Sequence, residues 1–277
     1  MAALKNKIDF VALISVTNAN GNGDPLNSNR PRTDYNGMGE ISDVCIKRKL
    51  RNRMQDMGNA IFVQSEDRCD DGFKSLSDRA TAATKGIKEK ETYAQTACEK
   101  WMDVRSFGQV FAFKSNDKSG VSVGVRGPVS IHQAVSISPV EIEEMQITKS
   151  VNGETGEKRS SDTMGTKHFV RFGFYEIKGA INVQLAEKTG FSQEDAAVVK
   201  ECLRTLFAND ASAARPEGSM EVVKLFWWEQ IARRDSIRPQ RCIEASMSRP
   251  RIRKGSRHVW TTMRSRSMSC PALFRRS

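Results

Sequence analysis

The order of the apolar segments constrains this chain more than any other feature. Ile8–Val16 is a run of Ile, Phe, Val and Leu suited to a buried strand. Ser42 then heads a helix running to about Met57, and strand-like sequence fills 107–137. A long hairpin follows, a second helix starts at Ser192, and Glu221–Trp228 is a last strand. Strand, helix, strands, helix, strand is the pattern of an α+β, ferredoxin-like core, here with a large hairpin insertion. Some 230 residues are enough to bury one sizeable core, and no internal repeat is visible.

Local signals place the elements. Ile46, Leu50, Met54 and Met57 recur at spacings of four, four and three, which makes one buried stripe on a helix capped by Ser42. Lys47 and Arg51 lie on one flank of that stripe, Lys49 and Arg53 on the other. Ala60–Val63 reads as a short strand, and Leu76 to Met102 is helical and polar. Val121, Val123 and Val125 alternate with Ser122, Gly124 and Arg126 before Gly127-Pro128. Ile142, Met145 and Ile147 lead into the Asn152-Gly153 turn, and Thr163–Phe174 forms the return arm. Ile177–Leu185 alternates as another strand. Ser192 and Asp195 form an S-x-x-D cap for a helix through Phe207.

Charge is divided unevenly. The formal net charge of the 277 residues is +11, and residues 231–277 supply all of it with 13 Lys and Arg against Asp235 and Glu244. Residues 1–230 hold 31 bases and 31 acids. Beyond Trp228 the sequence is Arg-, Ser- and Pro-rich, with no sustained period of two or 3.6. No apolar run approaches the roughly 18 residues of a membrane span, and no export signal precedes Ile8, so no membrane partner is expected. The six cysteines are scattered without a C-x-x-C or a Cys/His cluster, which argues against zinc and disulfides and for free thiols in a reducing cytoplasm.

Little in the sequence asks for catalysis. His132 and His168 are the only histidines before residue 231, each alone on strand-like sequence. The acid pairs Asp70-Asp71, Glu143-Glu144 and Glu194-Asp195 suit solvated loops and helix starts. Asn20-Gly-Asn-Gly-Asp24 lacks both the helix directly after its glycines and the Gly-Lys-Ser/Thr of a phosphate loop. That loop better suits a polymeric ligand held by backbone amides, by Asn18, Asn20 and Asn22, and by Arg30 and Arg32. Lys47-Arg-Lys-Leu-Arg-Asn-Arg53 packs five cations into seven residues, which repel one another unless anions sit nearby. A solvated face is the plain alternative for any charge run. Beside the Asn/Gly/Arg loop, phosphate binding is the reading chosen. Lys158, Arg159, Met164, Lys167 and His168 on the hairpin offer a second contact, with an apolar side chain available to wedge between bases.

These stretches together resemble the backbone subunit of type I-C CRISPR Cascade, the Csd-type member of the Cas-seven family. The matching motifs are Asn18–Pro25, Pro31-Arg-Thr-Asp34, the helix Ser42–Arg53, Asp103–Gly108, Gly124-Val-Arg126 through Ile131, Thr163–Phe169 and Lys188–Ser192. The resemblance implies an RRM-like palm (1–230) with helical fingers inserted at about 60–105 and a β-hairpin thumb at about 138–172. It implies several copies lining up as a helical multimer on one CRISPR RNA in a ribonucleoprotein for antiviral defence. Guide phosphates would be held by Lys47, Arg48, Arg51 and Arg53, by the loop around Arg30 and Arg32, and by Arg126. The partners implied are the guide RNA, target DNA through the guide, further copies of the chain and other Cascade subunits. No catalytic residue, metal or cofactor is expected. The alternative is an RNA endonuclease of the related repeat-associated superfamily using Asp24, Asp34 or His168; a generic RRM-like RNA chaperone is a third.

Two departures accompany the resemblance. Gly21 stands where the family's Asn-Pro-Asn-Gly-Asp-Pro loop has proline, which is expected to loosen the turn. The motifs also stop after Trp228-Glu229, where a segment like Gly-Gln-Tyr-Ser-Ser-Ala-Lys-Val-His is usual. Asp235–Met247 can be encoded by codons that yield such a segment when shifted by one nucleotide. Residues from about 230, the Arg-rich 231–277 included, are therefore expected to be a frameshifted reading of the gene.

Overall fold

A computed structural model describes residues 3–87, 89–112, 122–148 and 164–230. In chain order these form β1 (Ile8–Ala19), β2 (Gly23–Asp24), β3 (Arg30–Pro31), β4 (Met38–Ile41), α1 (Asp43–Asp56), α2 (Leu76–Ala83), α3 (Lys90–Lys100) and α4 (Met102–Phe107). There follow β5 (Gly108–Phe111), β6 (Val123–Arg126), β7 (Val129–Ile131), β8 (Ala134–Pro139), β9 (Ile142–Thr148), β10 (Met164–Ile181), α5 (Val183–Thr189), α6 (Gln193–Arg204) and β11 (Met220–Glu229). The main sheet runs β11-β1-β10-β8-β4, with each pair antiparallel. Taking β1, β8, β10 and β11 as the four core strands, this is the 4-1-3-2 order of a ferredoxin-like α+β fold. The expected fold class is the one observed.

Alternation along β1 decides which face is covered. Ile8, Phe10, Ala12, Ile14 and Val16 share a core with Ile46, Leu50 and Met54 of α1 and Val199, Cys202 and Leu203 of α6. Both helices therefore pack on one face of the sheet, and each buried Ile, Leu or Met contributes about 1.5–3 kcal/mol of hydrophobic stabilisation. Ser42 caps α1 by accepting from the Cys45 amide, and Ser192 and Asp195 complete a reciprocal capping box on α6. Met57, the fourth member of the predicted stripe, is the helix C-cap and lies partly in solvent.

A second, smaller core is formed by Phe62, Ala80, Tyr93, Ala97, Cys98, Trp101, Val104, Phe111 and Val123. The β5–β6 hairpin closes it. The helical stretch 76–102 divides into α2, α3 and the start of α4. Ala60–Val63 is not a strand: the Phe62 and Val63 amides donate to the Asp103 carboxylate at 2.7 and 3.1 Å, so no ladder partner is needed. Nor does a strand cover 177–185. β10 ends at Ile181, and Asn182 turns the chain by accepting from the Leu185 amide to open α5. α6 stops at Arg204, three residues before Phe207.

β9 and β10 pair from Ile142↔Val170 to Thr148↔Met164 and form the predicted hairpin. Its Asn152-Gly153 turn, with Lys158 and Arg159, lies outside the described residues, as does 231–277.

Candidate nucleic-acid interface

The loop after β1 is ordered by its own polar side chains. Asp24 Oδ1 accepts from the Leu26 amide and from Arg32 Nη2, both at 3.2 Å, and the Asp24 carbonyl takes the amides of Asn27 and Asn29. Ser28 and Asn29 are left-handed, with φ of 49° and 56°, a conformation that Asn tolerates. Asn20 is buried and donates to the Asn29 carbonyl at 2.6 Å, while Asn22 Oδ1 accepts the Ser42 amide at 2.8 Å. One end of each side-chain amide is thus spent on shaping the loop, while Asn20 Oδ1 is buried without a hydrogen-bond partner. Asn18, exposed with φ of 50°, remains open to solvent. The loosening expected from Gly21 is also corrected. A Cβ there would come within 3.0 Å of the Ile41 side chain, and the flanking Asn20 and Asn22 bonds hold the turn.

Arg30 and Arg32 are brought to one polar pocket with Asp24, Asn27, Pro31, Thr33 and Glu40. Their side chains are 39% and 40% exposed, and among the described residues each has one carboxylate contact: Glu144 at 3.4 Å and Asp24 at 3.2 Å. A guanidinium has five N–H donors, so each retains donors for a phosphate. Glu144 sits on β9 opposite His168, whose Nδ1 lies 3.8 Å from the same Oε2. The loop and the base of the hairpin are therefore neighbours. His168 is buried and its Nδ1 has no hydrogen-bond partner. Farther out, Lys167 has no ion pair among the described residues, and Met145, Ile147 and Met164 are 50%, 48% and 66% exposed.

The basic helix is placed differently from its expectation. Lys47 is paired with Asp43 at 2.9 Å, and Arg48 donates to the Val63 carbonyl at 2.7 Å. Lys49 is buried against Asp210, and its burial lowers its pKa. Arg51 bonds the fully buried Asp103 at 2.9 Å and lies over the Phe107 ring; Arg53 donates to Thr205 at 2.8 Å and pairs with Asp56. All five cations have partners within the chain. Mutual repulsion is relieved inside the chain without phosphate: Asp210 and Asp103, distant in sequence, pair Lys49 and Arg51, while Asp43 and Asp56 on the helix itself pair Lys47 and Arg53. Arg126 is exposed on β6, whose neighbours are β5, α3, α4 and α5, so it belongs to the second core rather than to the Arg30/Arg32 loop.

Asp34 closes its own turn, with Oδ1 accepting the Asn36 and Met38 amides at 2.8 Å. Among the described residues no three His, Cys, Asp or Glu side chains converge as a metal site would require. Sequence reasoning missed Glu144, read only as half of an acid pair; its partner Arg30 is 114 positions away.

The sequence profile described as CRISPR-associated protein Cas7 matches residues 6–258 of this chain. The chain belongs to that family. A curated Cas7 relative from Haloferax volcanii is 27% identical over 207 residues, covering 69% of this chain and 61% of the relative, so the chain spans less than two thirds of that protein. Similar solved chains come from a CRISPR RNA-guided surveillance complex in a pre-nicking state (TM-score 0.44, 17% identity, 74% of this chain and 72% of that one) and from another such complex (0.44, 20%, 75% and 65%). The Cas7 match reaches residue 258, beyond Trp228-Glu229 where the motif resemblance ends. No helix among the described residues is long and apolar enough to cross a membrane.

Proposed function

We propose that this Cas7 protein is a non-catalytic, cytoplasmic backbone subunit of a type I-C surveillance complex. Copies of it line up along a CRISPR guide RNA and hold it for pairing with complementary DNA. The observation that carries this reading is the hairpin of β9 and β10, with Met145, Ile147 and Met164 in solvent, beside the ordered Arg30/Arg32 loop. A two-stranded ribbon with apolar side chains on its arms suits insertion between bases, and partly satisfied guanidinium groups beside it suit the adjoining phosphates. Lys167 is a further phosphate contact. The helix 47–53 contributes through Lys47, which is more exposed than Lys49, Arg51 or Arg53.

Copurification from the host tests this: a CRISPR transcript of discrete length should accompany several copies of the chain. Arg30→Ala with Arg32→Ala should weaken binding of single-stranded RNA and flatten its salt dependence by roughly 0.7 per lost phosphate contact. A monomer with RNA bound would favour the generic chaperone. Cleavage of RNA abolished by Asp24→Asn, Asp34→Asn or His168→Ala would replace the reading with the endonuclease.

A further inference from the structure

The sheet face opposite α1 and α6 carries a feature that the loop and hairpin do not use. Along β10, Gly173, Tyr175 and Ile177 point to the helices, for they sit opposite Val16, Ile14 and Ala12 of the core. Phe172 and Phe174 must point the other way. They stand opposite Thr17 and Ser15 of β1, with ring centroids 5.1 Å apart at 84°. Phe172 is 51% exposed and Phe174 half-buried. Gly173 separates them because a Cβ there would press to 3.0 Å on both Tyr175 and Val140. The resulting Arg171-Phe-Gly-Phe174 on a central strand of a ferredoxin-like sheet shares the aromatic-Gly-aromatic centre of the RNA-recognition signature carried by RRM sheets.

We infer that Phe172 and Phe174 form a base-stacking platform for single-stranded RNA, each ring taking one unstacked base. The same face carries cations farther along: Lys224 and Lys178 sit opposite Leu13 and Val11, with Lys224 5.1 Å over Phe226 and Lys178 bonded to Glu176 at 2.8 Å. Lys224 has no carboxylate partner among the described residues. Glu221, opposite Ser15, is the exposed acid that the nucleic-acid backbone must skirt. β10 is also the inner arm of the hairpin, so RNA gripped at 164–170 is led along the same strand to Phe172 and Phe174. Two rings with flanking hydroxyls and cations fit bases and phosphates in alternation. The inference rests on the RNA-binding reading above and adds a surface to it.

The test uses the full chain and a single-stranded oligouridylate, unmodified for titration and carrying 4-thiouridine for cross-linking. Irradiation should cross-link Phe172 or Phe174 in the unmutated protein. Phe172→Leu and Phe174→Leu, which keep apolar bulk but lose the flat ring, should each weaken binding about fivefold to a hundredfold. The slope of affinity against salt should stay the same, because no ion contact is lost, and Phe172→Trp should preserve affinity. Unchanged affinity of both Leu variants, with the unmutated protein still binding RNA, overturns the platform and leaves the RNA-binding reading standing. So does a loss of self-association without loss of affinity, which would assign the face to a second copy of the chain. Should the unmutated protein bind no RNA, the functional reading fails and the platform with it.

Discussion

Arg51 Nε lies 2.9 Å from Asp103 Oδ2, and Asp103 is completely buried. The same carboxylate accepts the Phe62 and Val63 amides, so one anion holds α1 and the entry to the second core together. A carboxylate withdrawn from water is tolerable only with its charge paired and its lone pairs bonded. Arg51 is thus committed to folding. A basic run on a helix acquires this role when its length lets the guanidinium reach an acid 52 positions away.

Asp103→Ala should destabilise the protein by about 3–5 kcal/mol, since it strands Arg51 and two amides in a buried site. Arg51→Ala should cost a similar amount by leaving the carboxylate uncompensated. Urea unfolding would show both as lower midpoints, and a double-mutant cycle should show strong coupling. RNA affinity of the Arg51→Ala protein that remains folded should change little. A midpoint unmoved by either substitution would defeat this account.

The second core has an acid-sensitive clasp. Arg79 bonds both oxygens of Asp71, at 2.6 and 2.8 Å, and donates to the Phe62 carbonyl and to Gln64. The Arg79 hydrogen bond is the main reason that the Asp71 pKa falls to about 2. A carboxylate with a lowered folded-state pKa contributes stability that is present above its unfolded pKa near 3.8. That stability is lost as pH falls toward 2. Asp71→Asn should therefore lower thermal stability at neutral pH and remove part of the decline between about pH 4 and 2. Melting curves across that range check the sign.

What was legible in the sequence follows physical range. Ser42, Ser192 and the apolar spacing of Ile46, Leu50 and Met54 act within one or two turns, and α1 and the α6 cap stand where those signals put them. The β1, β10 and β11 alternation is equally local. Misreadings came where a distant group overrode a local pattern. Asp103 takes the amides that would have made Ala60–Val63 a strand. The end of β10 was missed for a local reason, since the Asn182 cap three residues before Leu185 outweighs the alternation that continues past it. The candidate site divides the same way. Arg30 and Arg32 could be read from a loop rich in Asn and Gly, whereas the partners of Lys49, Arg51 and Arg53 are 161, 52 and 152 residues away. Charge density along a chain does not reveal which charges folding will pair.

Thiol reactivity should follow burial. Burial raises the Cys98 pKa to about 11 and that of Cys202 to about 12, leaving almost no thiolate at neutral pH. Cys69 is exposed. Alkylation of the native protein at pH 7.5 should label Cys69 well before Cys98 and Cys202, with denaturant removing the difference. Mass spectrometry of the labelled peptides reads the order directly, and rapid native labelling of Cys202 would contradict its burial on α6 against Met57.

The Glu144 carboxylate competes with any phosphate for Arg30. Their contact is 3.4 Å long with both side chains well exposed, so the pair contributes less than about 1 kcal/mol to stability. Glu144→Gln removes one negative charge beside the loop and the hairpin, and leaves Arg30 free to turn to RNA. Affinity for single-stranded RNA should rise about fivefold at low salt, equivalent to about 1 kcal/mol for one charge at short range through solvent. The gain should shrink as added salt screens the site, while the melting temperature stays nearly fixed. In an Arg30→Ala background the substitution should give a smaller gain, because the competition it relieves is gone. Equal gains in both backgrounds would mean that Glu144 acts only as a general repulsive charge and not through Arg30.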